Sequence, residues 1–134
     1  MVGAWILLMF AVAVAAAGCG SSATSGAGGE VKVEAKDQGR QIDVQQGQAL
    51  VVTLESNPST GYTWEQAEAG DQVLDSLGKP EFSSQSNKLG APGMQTLRFR
   101  ASRSGQTTLK LVYHRSWEEG IEPLQIFTIQ VHVK

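Results

Sequence analysis

Phe127-Thr128-Ile129-Gln130-Val131-His132-Val133 alternates without a break: Phe127, Ile129, Val131 and Val133 fall on one face, and Thr128, Gln130 and His132 on the other. Successive side chains of an extended chain point to opposite faces, so strict alternation marks a strand with one buried face. The same period recurs upstream. Leu109, Leu111 and Tyr113 alternate with Lys110, Val112 and His114, and Leu97, Phe99 and Ala101 with Arg98 and Arg100. Leu50, Val52 and Leu54 alternate with Val51, Thr53 and Glu55, and Val31, Val33 and Ala35 with Lys32, Glu34 and Lys36. Gly, Pro, Asn and Ser separate these runs, as turns require. Several such strands within about a hundred residues, and no amphipathic helix beyond a turn or two, predict an all-β fold of two packed antiparallel sheets. Trp64 follows the Leu50–Leu54 run and shares a face with Tyr62, and both read as core residues.

The 134-residue chain has the length of one domain. Its 13 acidic and 11 basic residues all lie in Glu30–Lys134, and the first 29 residues carry no charged side chain. That break divides the chain into a leader at 1–18, a lipidated Cys19 with a flexible Gly/Ser tether at 19–29, and a folded domain at 30–134. The apolar run Trp5–Ala17 is shorter than the roughly 20 residues of a spanning helix and has the length of a signal-peptide core. Cys19, the single cysteine, follows Ala16-Ala17-Gly18 and resembles the cleavage and acylation site of bacterial lipoproteins. The alternative is an ordinary signal peptide with a cysteine there by chance. An export signal with an acylated cysteine predicts a protein anchored by lipid to the cell envelope, on its periplasmic or extracellular side. With one cysteine the domain has no internal disulfide and depends on packing. A net charge of −2 leaves no basic footprint for nucleic acid.

Three loops are not explained by the core. In Asn57-Pro58-Ser59-Thr60-Gly61-Tyr62, Asn caps its own turn, Pro58 fixes φ and Gly61 permits a positive φ. This predicts a stiff turn with the small side chains of Ser59 and Thr60 at its tip. Gly90-Ala91-Pro92-Gly93 carries little side-chain bulk, so another chain can approach its backbone. Arg115-Ser116-Trp117 interrupts two strong strands and sets Trp117 among charged neighbours. Exposed Trp and Arg are the residue types enriched at binding hot spots.

In this order and spacing, the three loops resemble the signature loops of the chagasin family of inhibitors of papain-like cysteine peptidases, and the resemblance runs from about Val31 to Val133. It departs at Pro92, where many members have Gly, and at Ser116, where many have Pro. The resemblance implies an immunoglobulin-like antiparallel β-sandwich whose three loops line up at one end, and a reversible, tight-binding inhibitor that needs no cofactor or metal. Ser59 and Thr60 would enter the peptidase cleft, held by Asn57, Pro58 and Gly61, with Tyr62 counted among the peptidase-binding residues. Residues Gly90, Ala91, Pro92 and Gly93 would lie along the substrate side, and Trp117 would stack on aromatic surface with Arg115 beside it. The partner is then a papain-like peptidase, met by a monomer.

Two other classes compete. An enzyme lacks support: there is no Gly-x-Ser-x-Gly elbow, and Cys19 sits in the leader. His114 and His132 fall on solvated strand faces, and His114 with Glu118 or Glu119 matches no metal-ligand pattern. A cell-surface adhesion or assembly module would use the same sandwich, but it has no need of three matched loops.

Overall fold

A computed structural model describes residues 29–67 and 72–134. The expected leader, Cys19 and all of the tether but Gly29 lie outside the described residues. Among the described residues, nine strands form two sheets. The first holds β1 (Glu30–Glu34), β3 (Ala49–Ser56), β7 (Gly93–Ala101), β5 (Leu74–Ser76) and β6 (Glu81–Ser84), in the order β1-β3-β7 with β5 and β6 sharing the far side of β7. The second holds β2 (Gln41–Val44), β4 (Thr63–Gln66), β8 (Gly105–His114) and β9 (Gln125–Val133), in the order β2-β9-β8-β4.

Four of the five alternating runs fall wholly within strands, the Val31–Lys36 run leaves its strand after Glu34, and their apolar faces meet. Val33, Leu50, Val52, Leu54, Leu97 and Phe99 from one sheet pack on Leu109, Leu111, Phe127, Ile129, Val131 and Val133 from the other. Each such side chain stabilises the fold by roughly 1.5–3 kcal/mol when fully buried. Trp64 is buried as expected, stacked on Tyr113 with ring centroids 5.0 Å apart. Tyr62 is half-buried against the same core, 5.3 Å from Tyr113. Ala35, expected to continue the face of Val33, instead opens a short 3-10 turn, Ala35–Asp37, and is exposed.

Most pairings are antiparallel, but one edge strand of each sheet joins in parallel: β1 lies along β3, and β2 along β9. A single crossover explains both. The chain runs up one sheet as β1, turns over the 3-10 turn and descends the other sheet as β2. Alternation reveals a buried face but not strand direction, so this polarity was not legible in the runs themselves.

Strand direction also sorts the loops. β3 and β8 run toward one pole, while β7 and β9 leave it. The connections β3–β4, β6–β7 and β8–β9 therefore all lie at that pole. Glu30 pairs with Ala49 and Val133 with Gly105, at the start of β3 and of β8 respectively. Both ends of the described domain thus lie at the other pole.

Candidate functional site

The first loop is built on Asn57. Its extended backbone and its side chain cap the 3-10 turn Pro58–Thr60: Asn57 Oδ1 accepts from Ser59 N at 3.3 Å and from Ser59 Oγ at 2.6 Å. Thr60 Oγ1 donates to Asn57 O at 2.6 Å. Gly61 closes the turn with φ +82°, in the left-handed region that a Cβ disfavours. Both hydroxyls of the tip are thus turned back on the loop's own frame. Pro58, Ser59 and Thr60 stay exposed, held in one shape.

The second loop, Gln85–Pro92, joins β6 to β7 and is closed by Ala91 N donating to Lys88 O at 3.2 Å. Gly90, at φ +78°, lies at its outer end. Gly93 differs from its neighbours. It is the first residue of β7, buried between β3 and β6, and a Cβ there would collide with the Ser83 carbonyl and the Phe82 ring. It presents no surface to a partner, and its place in the motif is explained by close strand packing.

The third loop connects β8 to β9 and starts with a turn in which Glu118 N donates to Arg115 O at 3.1 Å. Trp117 is 67% exposed, as its charged neighbours predict.

The three loops touch. Asn57 Nδ2 donates to Gly90 O at 3.2 Å, which ties the first loop to the second. Arg115 Nε donates to Thr60 O at 3.0 Å, and its Nη1 donates to Glu118 Oε1 at 3.0 Å, which ties the third loop to the first. The Trp117 ring occupies the space a Cβ on Gly61 would need. One ridge results, ordered Gly90, Asn57–Gly61, Trp117.

Beneath the ridge stands a column of rings. The Arg115 guanidinium lies 4.6 Å from the centre of the Tyr62 ring, Tyr62 packs on Tyr113, and Tyr113 on Trp64. Tyr113 Oη accepts from Asn57 N at 2.9 Å, and Trp64 Nε1 donates to Glu55 O at 2.9 Å. Tyr62 therefore supports the ridge from below.

Gln95 is a second support, and the loop motifs do not contain it. Its buried amide reaches from β7 to the free edge of β4. Oε1 accepts from Trp64 N at 3.0 Å and Thr63 Oγ1 at 3.2 Å, and Nε2 donates to Trp64 O at 2.9 Å. The side chain stands where a neighbouring strand would pair, and it links the strands that carry the first two loops. The signal was present: Gln95 has the parity of Leu97, Phe99 and Ala101, so it is a polar residue at an inward position.

His114 and His132 lie half-exposed on strands, as expected. His114 Nε2 is 2.8 Å from Glu65 Oε2, and His132 Nδ1 is 3.5 Å from Asp43 Oδ1. Glu118 is engaged by Arg115 rather than by His114. No group of three or more metal-ligating side chains occurs among the described residues.

This geometry can be set beside known proteins. Residues 43–131 match the family model described as chagasin family peptidase inhibitor I42. Amoebiasin-2 of Entamoeba histolytica is 33% identical over 88 residues, covering 63% of this chain and 70% of that protein. The crystal structure of the cysteine protease inhibitor EhICP2 from Entamoeba histolytica superposes with a TM-score of 0.69 at 25% identity, covering 80% of this chain and 97% of its own. Leishmania mexicana ICP superposes with a TM-score of 0.57 at 28% identity, covering 73% and 90%. The match to the family model covers β3 to β8, most of β9 and all three loops of the ridge, and on it the chain belongs to the chagasin family of peptidase inhibitors.

Proposed function

We propose that the chain is a reversible, tight-binding inhibitor of papain-like cysteine peptidases, and that its ridge fills the active-site cleft. The observation that carries this is the cross-bonding of the ridge: Asn57 to Gly90, Arg115 to Thr60, and Trp117 on Gly61. A cleft cut for an extended peptide rejects bulk and admits a narrow wedge. Pro58, Ser59 and Thr60 form such a wedge, with no long side chain at the tip. A surface already fixed in its bound shape loses little conformational entropy on docking, so more of the contact energy appears as affinity. Ser59 and Thr60 block the reacting groups, Gly90–Pro92 offer backbone alongside, and Trp117 with Arg115 anchors the other flank. Asn57, Gly61, Tyr62 and Gly93 hold these in place. The inhibitor is a monomer, and no bond is made or broken.

Titrating papain with the purified protein tests this. The expected result is full loss of activity near equimolar inhibitor, with recovery on dilution and no effect on a serine peptidase. Papain left active at micromolar inhibitor would reject the reading and favour the adhesion module.

We further propose that the domain is exported and held to the envelope by acyl chains on Cys19. The support is the apolar run ending at Ala16-Ala17-Gly18-Cys19, together with the placement of Glu30 at the pole away from the ridge. A tether joining there leaves the wedge facing outward from a bilayer. Labelled fatty acid should enter the wild-type protein and not Cys19→Ala, and equal labelling would exclude the anchor.

A further inference from the structure

Six large apolar side chains are exposed among the described residues: Phe82, Leu89, Trp117, Ile121, Leu124 and Ile126. All belong to the two hairpins that carry the second and third loops. Leu124 and Ile126 need a separate account, because neither belongs to the ridge. They are 60% and 48% exposed; Ile126 lies on the outer face of the second sheet, and Leu124 sits in the bend just before β9, its N–H donating to Tyr113 O at 2.8 Å. Ile126 lies directly opposite Val112 on β8. Farther from the ridge the same face is polar: Thr128, Gln130 and His132 on β9, and Lys110, Thr108 and Gln106 on β8. The outer face is therefore apolar only next to the ridge, where the His114–Glu65 pair flanks the patch on the side of β4.

The ridge alone is small. Its accessible tips are Pro58–Thr60, Gly90–Pro92 and Arg115–Trp117, nine residues. A stable protein–protein interface takes about 20–30 residues from each side, so the contact must extend past the tips, and the outer face beside Trp117 is where apolar surface continues. We propose that Leu124, Ile126 and Val112 form a shoulder that docks on the peptidase outside its cleft, against an apolar patch bordered by basic side chains. The basic border follows from the acids of the loop above the shoulder: Glu119 and Glu122 are exposed there, while Glu65, beside Val112 on β4, is engaged by His114. The same acids disfavour an anionic membrane as the occupant. This proposal rests on the inhibitory function proposed above, and it assigns that partner a second contact.

The double variant Leu124→Thr/Ile126→Thr tests it, since Thr keeps strand preference while removing apolar surface. Its inhibition constant for papain should rise tenfold or more, chiefly through faster dissociation, at an unchanged thermal midpoint. An unchanged constant in the folded double variant overturns the proposal. Should that variant misfold, amide exchange of the wild-type protein with and without papain decides. Slowed exchange at Val112 and Leu124–Ile126 supports the shoulder, and exchange unaltered there rejects it. Sedimentation of the wild type alone should show a monomer, and a dimer abolished by the double substitution would reassign the patch to self-association and overturn the proposal. Wild-type protein that leaves papain untouched would defeat the inhibitory reading itself, and the shoulder with it.

Discussion

Trp117, Gly61 and Gln95 show three ways in which one residue can control the ridge. Trp117 is mostly solvent-exposed, so Trp117→Ala should leave the thermal midpoint nearly unchanged. It should weaken inhibition by about 2 kcal/mol, roughly 30-fold, as truncation of an aromatic hot spot does. Inhibition assays against papain check this, and a wild-type constant would remove Trp117 from the interface. Gly61 acts through space: its φ of +82° costs an L-residue about 1–2 kcal/mol, and a methyl there lies in the Trp117 ring. Gly61→Ala should therefore lower stability modestly and also displace Trp117. Most of its effect on inhibition should vanish in a Trp117→Ala background, which a double-mutant cycle measures. Gln95 acts from beneath. Gln95→Leu leaves the Trp64 N–H and carbonyl without partners, at about 1–3 kcal/mol for each buried group. A loss of about 2 kcal/mol or more is expected, which lowers the thermal midpoint by roughly 8 °C or more in a domain of this size. Calorimetry checks it, with Gln95→Glu falling between because it keeps the acceptor.

Among the elements, β1 separates what the sequence reveals from what it hides. Its alternation announces a strand, and Val33 is fully buried beside β3. Its parallel pairing is invisible, because direction depends on where the crossover lands. Removing Glu30–Glu34 takes Val33 from the core and strips β3 of its edge partner, so the shortened chain should be unfolded or melt far below the intact domain by circular dichroism. Five long runs were readable because each has one wet and one dry face. Short β5 (Leu74–Ser76) and wholly exposed β6 (Glu81–Ser84) were not, because neither carries an alternation long enough to detect. Among the loops, the tips Ser59, Thr60 and Trp117 were legible from residue type alone. Gly93 reads as a loop residue in the sequence, since glycine marks close approach without saying whose. The Asn57–Gly90 and Arg115–Thr60 bonds join residues 33 and 55 positions apart, beyond the reach of local pattern.

For the molecule as a whole, acid stability follows from two carboxylates. The Glu34 backbone N–H, with Arg40 beside it, lowers the Asp37 pKa. Gln41 and then Lys134 lower that of Asp43. A carboxylate that is more acidic in the folded than in the unfolded state contributes stability above its unfolded pKa, and this is lost as pH falls through its folded pKa. For these two groups, stability should hold from neutral pH down to about 4 and decline below the ordinary carboxylate range. Urea midpoints measured through that interval check this, and Asp37→Asn should flatten the decline. A separate consequence follows from the strand polarity that sends both ends of the described domain away from the ridge. Beads, fluorophores or further copies of the domain joined at either end leave the working surface uncovered, so head-to-tail concatemers should engage one peptidase per unit, each independently of its neighbours.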